Sequence, residues 1–310
     1  MNQSLKHVSD LAAVKERKPT YLAIGVFDGV HRGHKQLLRK MVAEAQANGV
    51  RPAALTFYPH PGEVIRGRQG PFYLCTLDER VNLLSELGLE LVVTLPFDEE
   101  VRRTSAADFV ESLCRHLSLS QLWGGHFSLG YNREGDLPYL RKMGERKGFS
   151  VRPFEGMVQW DGENVSSSRV RRALAGGDMI QVSGCLGRDY KVAGVVVPGD
   201  GRGRQLGVPT ANLEVWEKLL LPVNGVYAAY AWLDDGRYKA ATNIGYRPTV
   251  NGHTLNVEAH LLDFEGDLYG RELELEIVAR IRDERKFPDL QALVAQIKAD
   301  IIQVSTLLAT

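Results

Sequence analysis

The chain has 310 residues, 44% of them hydrophobic and 25% charged, with 38 basic and 38 acidic side chains that cancel. That length favours two domains, each burying its own core. The neutral balance leaves no electrostatic footprint for bulk nucleic acid or an anionic membrane, although local phosphate sites remain compatible with it. No apolar run reaches the roughly 18 residues that would cross a bilayer, and the first residues lack the apolar stretch of a secretory signal. Cys75, Cys114 and Cys185 lie far apart without CxxC spacing. They read as reduced thiols of a cytoplasmic protein rather than as disulfides or zinc ligands.

Residues 20–27 form an apolar strand that runs into GVFDGVHRGH at 25–34. A helix follows over 34–48, with Leu37, Leu38, Met41, Val42 and Ala45 on one face and Asn48-Gly49 as its stop. A helix N-terminus offers unpaired N–H groups and a partial positive charge, so phosphate binds there readily. His31 and His34, three apart around Gly33, add imidazoles that can donate hydrogen bonds to a polyphosphate or carry charge beside it. A second strand over 50–57 is stopped by the prolines of TFYPHP at 56–61. Thr76 and Glu79 form a capping box ahead of Val81, Leu83, Leu84 and Leu87. A strand over 90–95, a helix over 105–117 and a short strand over 121–124 complete the alternation. That order implies a parallel sheet with ligands at the carboxyl ends of its strands, where His31, His60 and residues 124–126 fall.

VSSSRVR at 165–171 introduces a helical stretch over 169–174. Its serines can cap N–H groups or hold phosphate oxygens, and Arg169 and Arg171 carry permanent charge; a capped helix with surface arginines is the plain alternative. Beyond about residue 183 the texture becomes β-rich. Runs at 192–197, 225–233, 238–244, 255–262 and 273–282 point to an antiparallel barrel or sandwich, closed by an amphipathic helix over 290–304. Gly199, Gly201, Gly203 and Gly207 would let backbone approach a polyphosphate closely, or would simply form a hairpin loop. In PTAN at 209–212, the Thr210 hydroxyl and the Asn212 amide oxygen are hard donors suited to Mg²⁺. Glu258, in NVEAHLLDF at 256–264, shares a strand face with Asn256 and His260. It could serve as a base, or be one more solvated strand glutamate.

The HxGH element is the signature of nucleotidyltransferases, and VSSSRVR resembles the ISSTxIR segment of the same superfamily. GVFDGVHRGH, TFYPHP, FSLGYNREGD at 127–136, the serine–arginine element and the glycine-rich PTAN stretch occur in the order seen in prokaryotic bifunctional riboflavin kinase/FAD synthetases. The resemblance covers nearly the whole chain. It implies a Rossmann-like α/β nucleotidyltransferase domain of HxGH type with a parallel sheet over 1–183. Over 184–310 it implies an antiparallel β-barrel riboflavin kinase domain with a C-terminal helix. The implied chemistry is phosphorylation of riboflavin to FMN by ATP, then transfer of AMP from a second ATP to FMN, giving FAD and pyrophosphate. Both steps would use Mg²⁺, and the implied partners are these small molecules.

Carried over residue by residue, the resemblance makes His31 and His34 catalytic at the ATP phosphates. Gly25, Phe27, Asp28, Gly33, Ser166, Ser167, Ser168 and Arg169 join them around ATP. His60, Asn132 and Asp136 would place flavin and nucleotide. In the second domain Gly199, Gly201, Gly203, Gly207, Thr210 and Asn212 would bind ATP, with Thr210 and Asn212 also on the metal and Glu258 as the catalytic base. NIGYRPT at 243–249 resembles a segment that shapes the barrel and its flavin pocket; RDERKF at 282–287 resembles a segment near the flavin end, with solvated charge at a helix entry as the equal alternative. Three positions depart from the family pattern: Val26 where Asn is usual, and His126 and Ser128 where GxDFRFG carries Asp and Arg. They motivate an alternative, a riboflavin kinase whose nucleotidyltransferase domain is impaired or retargeted.

Overall fold

The computed structural model describes residues 5–199, 201, 203, 206–249 and 252–309, with side chains at 246–249 and 252–255 set aside, Arg247 among them. Packing divides the chain into two units. One comprises Met1–Gln69 with Cys75–Val165, the other Gly70–Leu74 with Ser166–Thr310.

In the first unit, strand and helix alternate as the hydrophobic periods require. β1 (Lys6–Val8), β2 (Thr20–Ile24), β3 (Arg51–Tyr58), β4 (Leu91–Pro96), β5 (Leu119–Gly124) and β6 (Ser150–Pro153) form one sheet in the order β1-β4-β3-β2-β5-β6. Every pairing in it is parallel. Successive side chains of a strand point to opposite faces, and both faces here are buried. Leu22, Leu55 and Val93 pack with Val110 and Leu113 of α5 (Ala106–Leu117) and Leu140 of α6 (Leu137–Lys147). Tyr21, Ala23, Ala54 and Val92 pack on the other side with Leu38 and Met41 of α1 (Arg32–Ala47) and Leu84 of α3 (Leu77–Ser85). The strand order reverses direction in sequence beside β2, which makes the carboxyl end of β2 the natural place for a ligand.

Several elements lie outside the sequence expectation. β1 and β6 are short edge strands that take their pairing from β4 and β5. The prolines after β3 end the strand but also start α2 (Pro61–Arg66), with Pro61 at the first turn, where a missing N–H costs nothing. Asp98 caps α4 (Glu99–Arg103) and Asp136 caps α6, both by accepting from backbone N–H groups. A two-stranded hairpin, β7 (Gln159–Trp160) with β8 (Glu163–Asn164), completes the unit.

The second unit begins with α7 (Ser167–Gly176) and α8 (Met179–Leu186). Six strands then close a barrel: β9 (Tyr190–Val197), β10 (Ala211–Val215), β11 (Gly225–Leu233), β12 (Gly236–Thr249), β13 (Gly252–Leu261) and β14 (Glu272–Arg282), in the order β10-β13-β12-β11-β14-β9. All pairings are antiparallel. Closure removes the open edges that invite pairing with other chains. The barrel and the closing helix were legible in sequence, whereas β10 was not. Its five residues include the Asn of PTAN and a Glu, and they hold strand form through β9 and β13. α9 (Leu290–Leu307) lies on the outer face, where Val304 and Leu308 meet Ala228 and Leu262.

Candidate functional sites

The turn after β2 carries the first site. His31 is the N-cap of α1, and its Nδ1 accepts from His34 N at 3.3 Å. The His34 ring stacks on His31, centroids 3.6 Å apart, and meets Phe27 edge-on at 5.2 Å. Burial, then the neighbouring His31 and Arg80, holds the His34 imidazole well below its ordinary value of 6.5, so it is neutral at physiological pH. Its Nδ1 is buried without a hydrogen-bond partner. Asp28, expected near ATP, is instead 1% exposed and faces inward toward Arg80 and Cys75. Cys75 accepts from Gly29 N at 3.2 Å, and burial followed by Asp28 pushes its thiol up to about 12, so it stays protonated.

Beside this turn, at the ends of β2 and β3, opens a cavity of about 670 Å³. Phe57, Phe97 and Phe109 give it an apolar wall, and His60, Asn132 and Arg133 a polar one. His60 caps α2, its Nδ1 accepting from Gly62 N at 2.8 Å. Asn132 and Arg133 are held at φ 54° and 61°, left-handed values rare for such side chains, as at many binding loops. Val26, His126 and Ser128, the three departures, all line this cavity, which also has Arg66 and Arg102 in its wall. Asp136 is exposed and spends its carboxylate on Tyr139 N at 2.9 Å, outside the cavity lining.

The serine–arginine element belongs to the second unit. Ser166 caps α7 by accepting from Arg169 N at 3.2 Å, and Arg169, 6% exposed, donates to Gln181 of α8. Arg171 lies over the Phe72 ring at 3.7 Å and donates to Phe72 O at 2.9 Å.

The barrel's outer face carries the other site. Glu258 on β13 is directly opposite Asn212 on β10 and Asn243 on β12, so three polar side chains stand in a row across three strands. Asn256 Nδ2 donates to Glu258 Oε1 at 2.7 Å and orients the carboxylate. His260 Nδ1 lies 2.7 Å from Pro209 O; a carbonyl only accepts, so this nitrogen carries the proton and tethers the segment leading to Thr210. A Cβ on Gly199 would fall 2.2 Å from Asn212 Nδ2, and one on Gly203 would fall 2.5 Å from Val208 O. Gly203 therefore has no room for a side chain against the backbone, and one at Gly199 would have to displace the Asn212 amide. Gly201 and Gly207 have φ near 70°, with open space around them.

Glu258, Asn243 and Thr210 line a cavity of about 660 Å³ whose far wall is Leu293, Ile297 and Ile301 of α9. A second cavity of about 350 Å³, bounded by Val196, Phe264 and Tyr269, shares Thr210 with it. RDERKF contributes Arg282, Glu284, Arg285, Lys286 and Phe287 to the larger cavity, so its charges face the site. Sequence reading missed Asp300, 3% exposed within the apolar stripe of α9, which accepts from Arg282 Nε and Nη2 at 2.8–3.0 Å and from Gln296 at 2.7 Å. A carboxylate three residues from Ile297 on a buried face was the available signal. Asp300→Ala leaves the Arg282 charge without its main partner, which costs about 3 kcal/mol. The expected outcome is a lowered Tm and a raised KM for the substrate of this cavity, read by thermal melts and steady-state kinetics.

Among the described residues no cluster of three or more His, Cys, Asp or Glu side chains could hold a metal ion. A cation at the barrel site would have to rely on neutral oxygens such as those of Thr210 and Asn212, together with a bound polyphosphate. That hard, under-charged donor set fits Mg²⁺ carried by a nucleotide.

Comparison with known proteins matches both halves of the chain. The FAD synthetase family profile matches residues 13–169 and the riboflavin kinase profile residues 186–308. The bifunctional riboflavin kinase/FMN adenylyltransferase of Pseudomonas fluorescens is 36% identical over 301 residues, 95% of this chain and 94% of that one. The Bacillus subtilis protein of the same description is 32% identical, covering 92% of each chain. A solved Streptococcus pneumoniae structure described as a macrolide-efflux protein superposes with a TM-score of 0.88 at 25% identity, covering 97% of this chain and 98% of that one. No helix among the described residues here is long and apolar enough to cross a membrane. An HxGH-type parallel sheet and a PTAN-bearing barrel, each matched by its own profile along one continuous alignment, place this chain in the bifunctional riboflavin kinase/FMN adenylyltransferase family, and it is an enzyme of both activities.

Proposed function

We propose that the barrel cavity holds riboflavin and the turn after β2 holds the ATP that donates AMP, with residues 184–310 and 1–183 as the corresponding functional domains. The observation that carries the kinase assignment is that Glu258 and Asn243, with Asn212 in register beside Glu258, line a cavity that has an apolar helix for its far wall. An isoalloxazine ring fits against Leu293, Ile297 and Ile301, which brings its ribityl chain toward Glu258. ATP fits the smaller cavity, with its phosphates reaching the glycine loop at Thr210. The 5′-hydroxyl oxygen attacks the γ-phosphorus as its proton passes to Glu258; the bond to the β-phosphate oxygen breaks and ADP leaves. Mg²⁺ held by Thr210, Asn212 and the phosphates would offset the charge that repels the attacking oxygen.

At the first site the attacking group is a phosphate oxygen of FMN, already ionised, so no base is required. Alignment and charge neutralisation are what the protein has to supply. The α1 N-terminus, His31 and His34 serve the phosphates of ATP, and the apolar cavity beside them takes the flavin. Arg66, Arg102 and Arg133 offset the loss of the family's arginine at Ser128. That supports a working synthetase over an impaired one. Ser166–Arg169 is assigned to ATP on the resemblance alone. Three cysteines far apart in sequence without CxxC spacing support a cytoplasmic enzyme drawing on the cell's ATP.

Time-resolved chromatography of flavins tests this reading. With riboflavin, ATP and Mg²⁺, FMN rises and then converts to FAD; chelating the metal stops both steps, and added Mg²⁺ restores them. FMN that accumulates without conversion would favour the impaired or retargeted domain. Full rates with the metal chelated would remove the role given to Thr210 and Asn212.

A further inference from the structure

The loop at 25–30 is strained. Phe27 and the β-branched Val30 adopt φ of 50° and 39°, left-handed values that such residues seldom hold. Conformations of this kind persist only where the surroundings over-determine them. Here the restraints come from the end of β3 and the start of α3. Thr56 Oγ1 donates to Val26 O at 2.8 Å, Cys75 accepts from Gly29 N, and the Cys75 thiol lies 3.9 Å from Asp28 Oδ1. Beneath them sits Arg80, 0% exposed and among the largest fully buried side chains of the described residues. Its Nη1 donates to Phe57 O at 3.3 Å and Thr56 Oγ1 at 3.4 Å, and its Nη2 is 3.7 Å from Asp28 Oδ1. Nε and Nη2 have no hydrogen-bond partner.

A guanidinium buried so completely and satisfied so poorly is costly for folding. Its place directly under the phosphate-binding turn gives that cost a use. We propose that Arg80 is a positioning residue of the adenylyl-transfer site, anchoring the loop at 25–30 through Asp28 and setting a fixed positive charge beneath the phosphates that His31 and His34 meet. Asp28 then acts as the loop's anchor instead of as an ATP ligand, and Arg80 cancels a carboxylate that would otherwise repel the incoming phosphates. In sequence Arg80 sits on the apolar face of α3, three residues after Leu77 and four before Leu84, where a charge has no partner on its own helix. The inference rests on the reading that His31 and His34 receive ATP.

The test compares Arg80→Met, Asp28→Asn, the double variant and Arg80→Lys, all in the full chain. The rate of FAD formation from supplied FMN is read against riboflavin phosphorylation by the same protein as a control for folding. Arg80→Met is expected to lower kcat/KM for ATP in AMP transfer by about 10- to 100-fold, less than the roughly 10²- to 10³-fold lost with a donor that itself touches the reacting group, with FMN formation unchanged. Arg80→Lys keeps the charge and retains more activity than Arg80→Met. The double variant decides between charge and packing. Removing both members of a buried pair restores stability lost by removing one, so its Tm recovers, yet AMP transfer stays slow. A double variant that forms FAD at the parent rate would overturn the proposal and leave the pair a structural one. The His31→Ala/His34→Ala protein separates the two levels: if it too forms FAD at the parent rate, the phosphate reading fails and takes this inference with it. If only the Arg80 variants do, the inference alone falls.

Discussion

Glu258→Gln is expected to lower FMN formation from riboflavin by about 10²- to 10⁴-fold, the usual worth of a general base, while supplied FMN is still converted to FAD. The substitution keeps the shape of the side chain and an oxygen to accept from Asn256, so the row with Asn212 and Asn243 survives. Only the capacity to take the hydroxyl proton is lost. The readout is therefore a fall in kcat with KM for riboflavin little changed, because the substitution leaves the apolar wall from α9, the proposed seat of the ring, intact. A fall in both activities together would show that the variant had damaged the fold.

His31→Ala combined with His34→Ala is expected to do the reverse. AMP transfer falls by about 10²- to 10³-fold, the range seen when donors aimed at developing charge are removed, and riboflavin kinase activity continues. Losing the His31 cap costs roughly 1 kcal/mol, which the buried face of α1 tolerates, since Leu38 and Met41 remain fully packed. His34 is neutral above its depressed pKa, so it acts as a hydrogen-bonding group and not as a cation near pH 7. What its burial in neutral form contributes to stability is present above about pH 6.5 and is lost as pH falls through the depressed value.

Elements with a strong period were legible from the sequence, and so were the two activities. α1 and α5 show their buried faces as apolar residues three and four apart, and β11 was bounded at the residues where it begins and ends. Glu258 and PTAN were found as motifs. Their meeting across β10, β13 and β12 is a matter of register that no single segment reveals. Other features were hidden for physical reasons. β1, β6 and β10 are too short to show a period and owe their form to neighbouring strands. Asp28 reads as part of a phosphate motif because the motif contains it, yet burial turns it away from solvent toward Arg80. Asp136 also caps α6 through Oδ1, a use that the motif does not reveal. Arg80 and Asp300 were visible only as charges on apolar helix faces, and the side chains that explain them are far away in sequence. Asp28 lies 52 residues before Arg80, and Arg282 lies 18 residues before Asp300.

The separation of the two reactions between two sites is tested most directly by mixing the two disabled proteins. Glu258→Gln and His31→Ala/His34→Ala are each supplied with riboflavin, ATP and Mg²⁺, alone and together, and the flavins are separated over time. The account predicts at most about a hundredth of the parent rate of FAD formation from either protein alone, FMN accumulating with the histidine variant, and much faster FAD formation in the mixture as released FMN reaches the intact nucleotidyltransferase of its partner. FAD formed at the parent rate by either protein alone would contradict it, as would a mixture in which FMN accumulates beyond the enzyme present and none is converted.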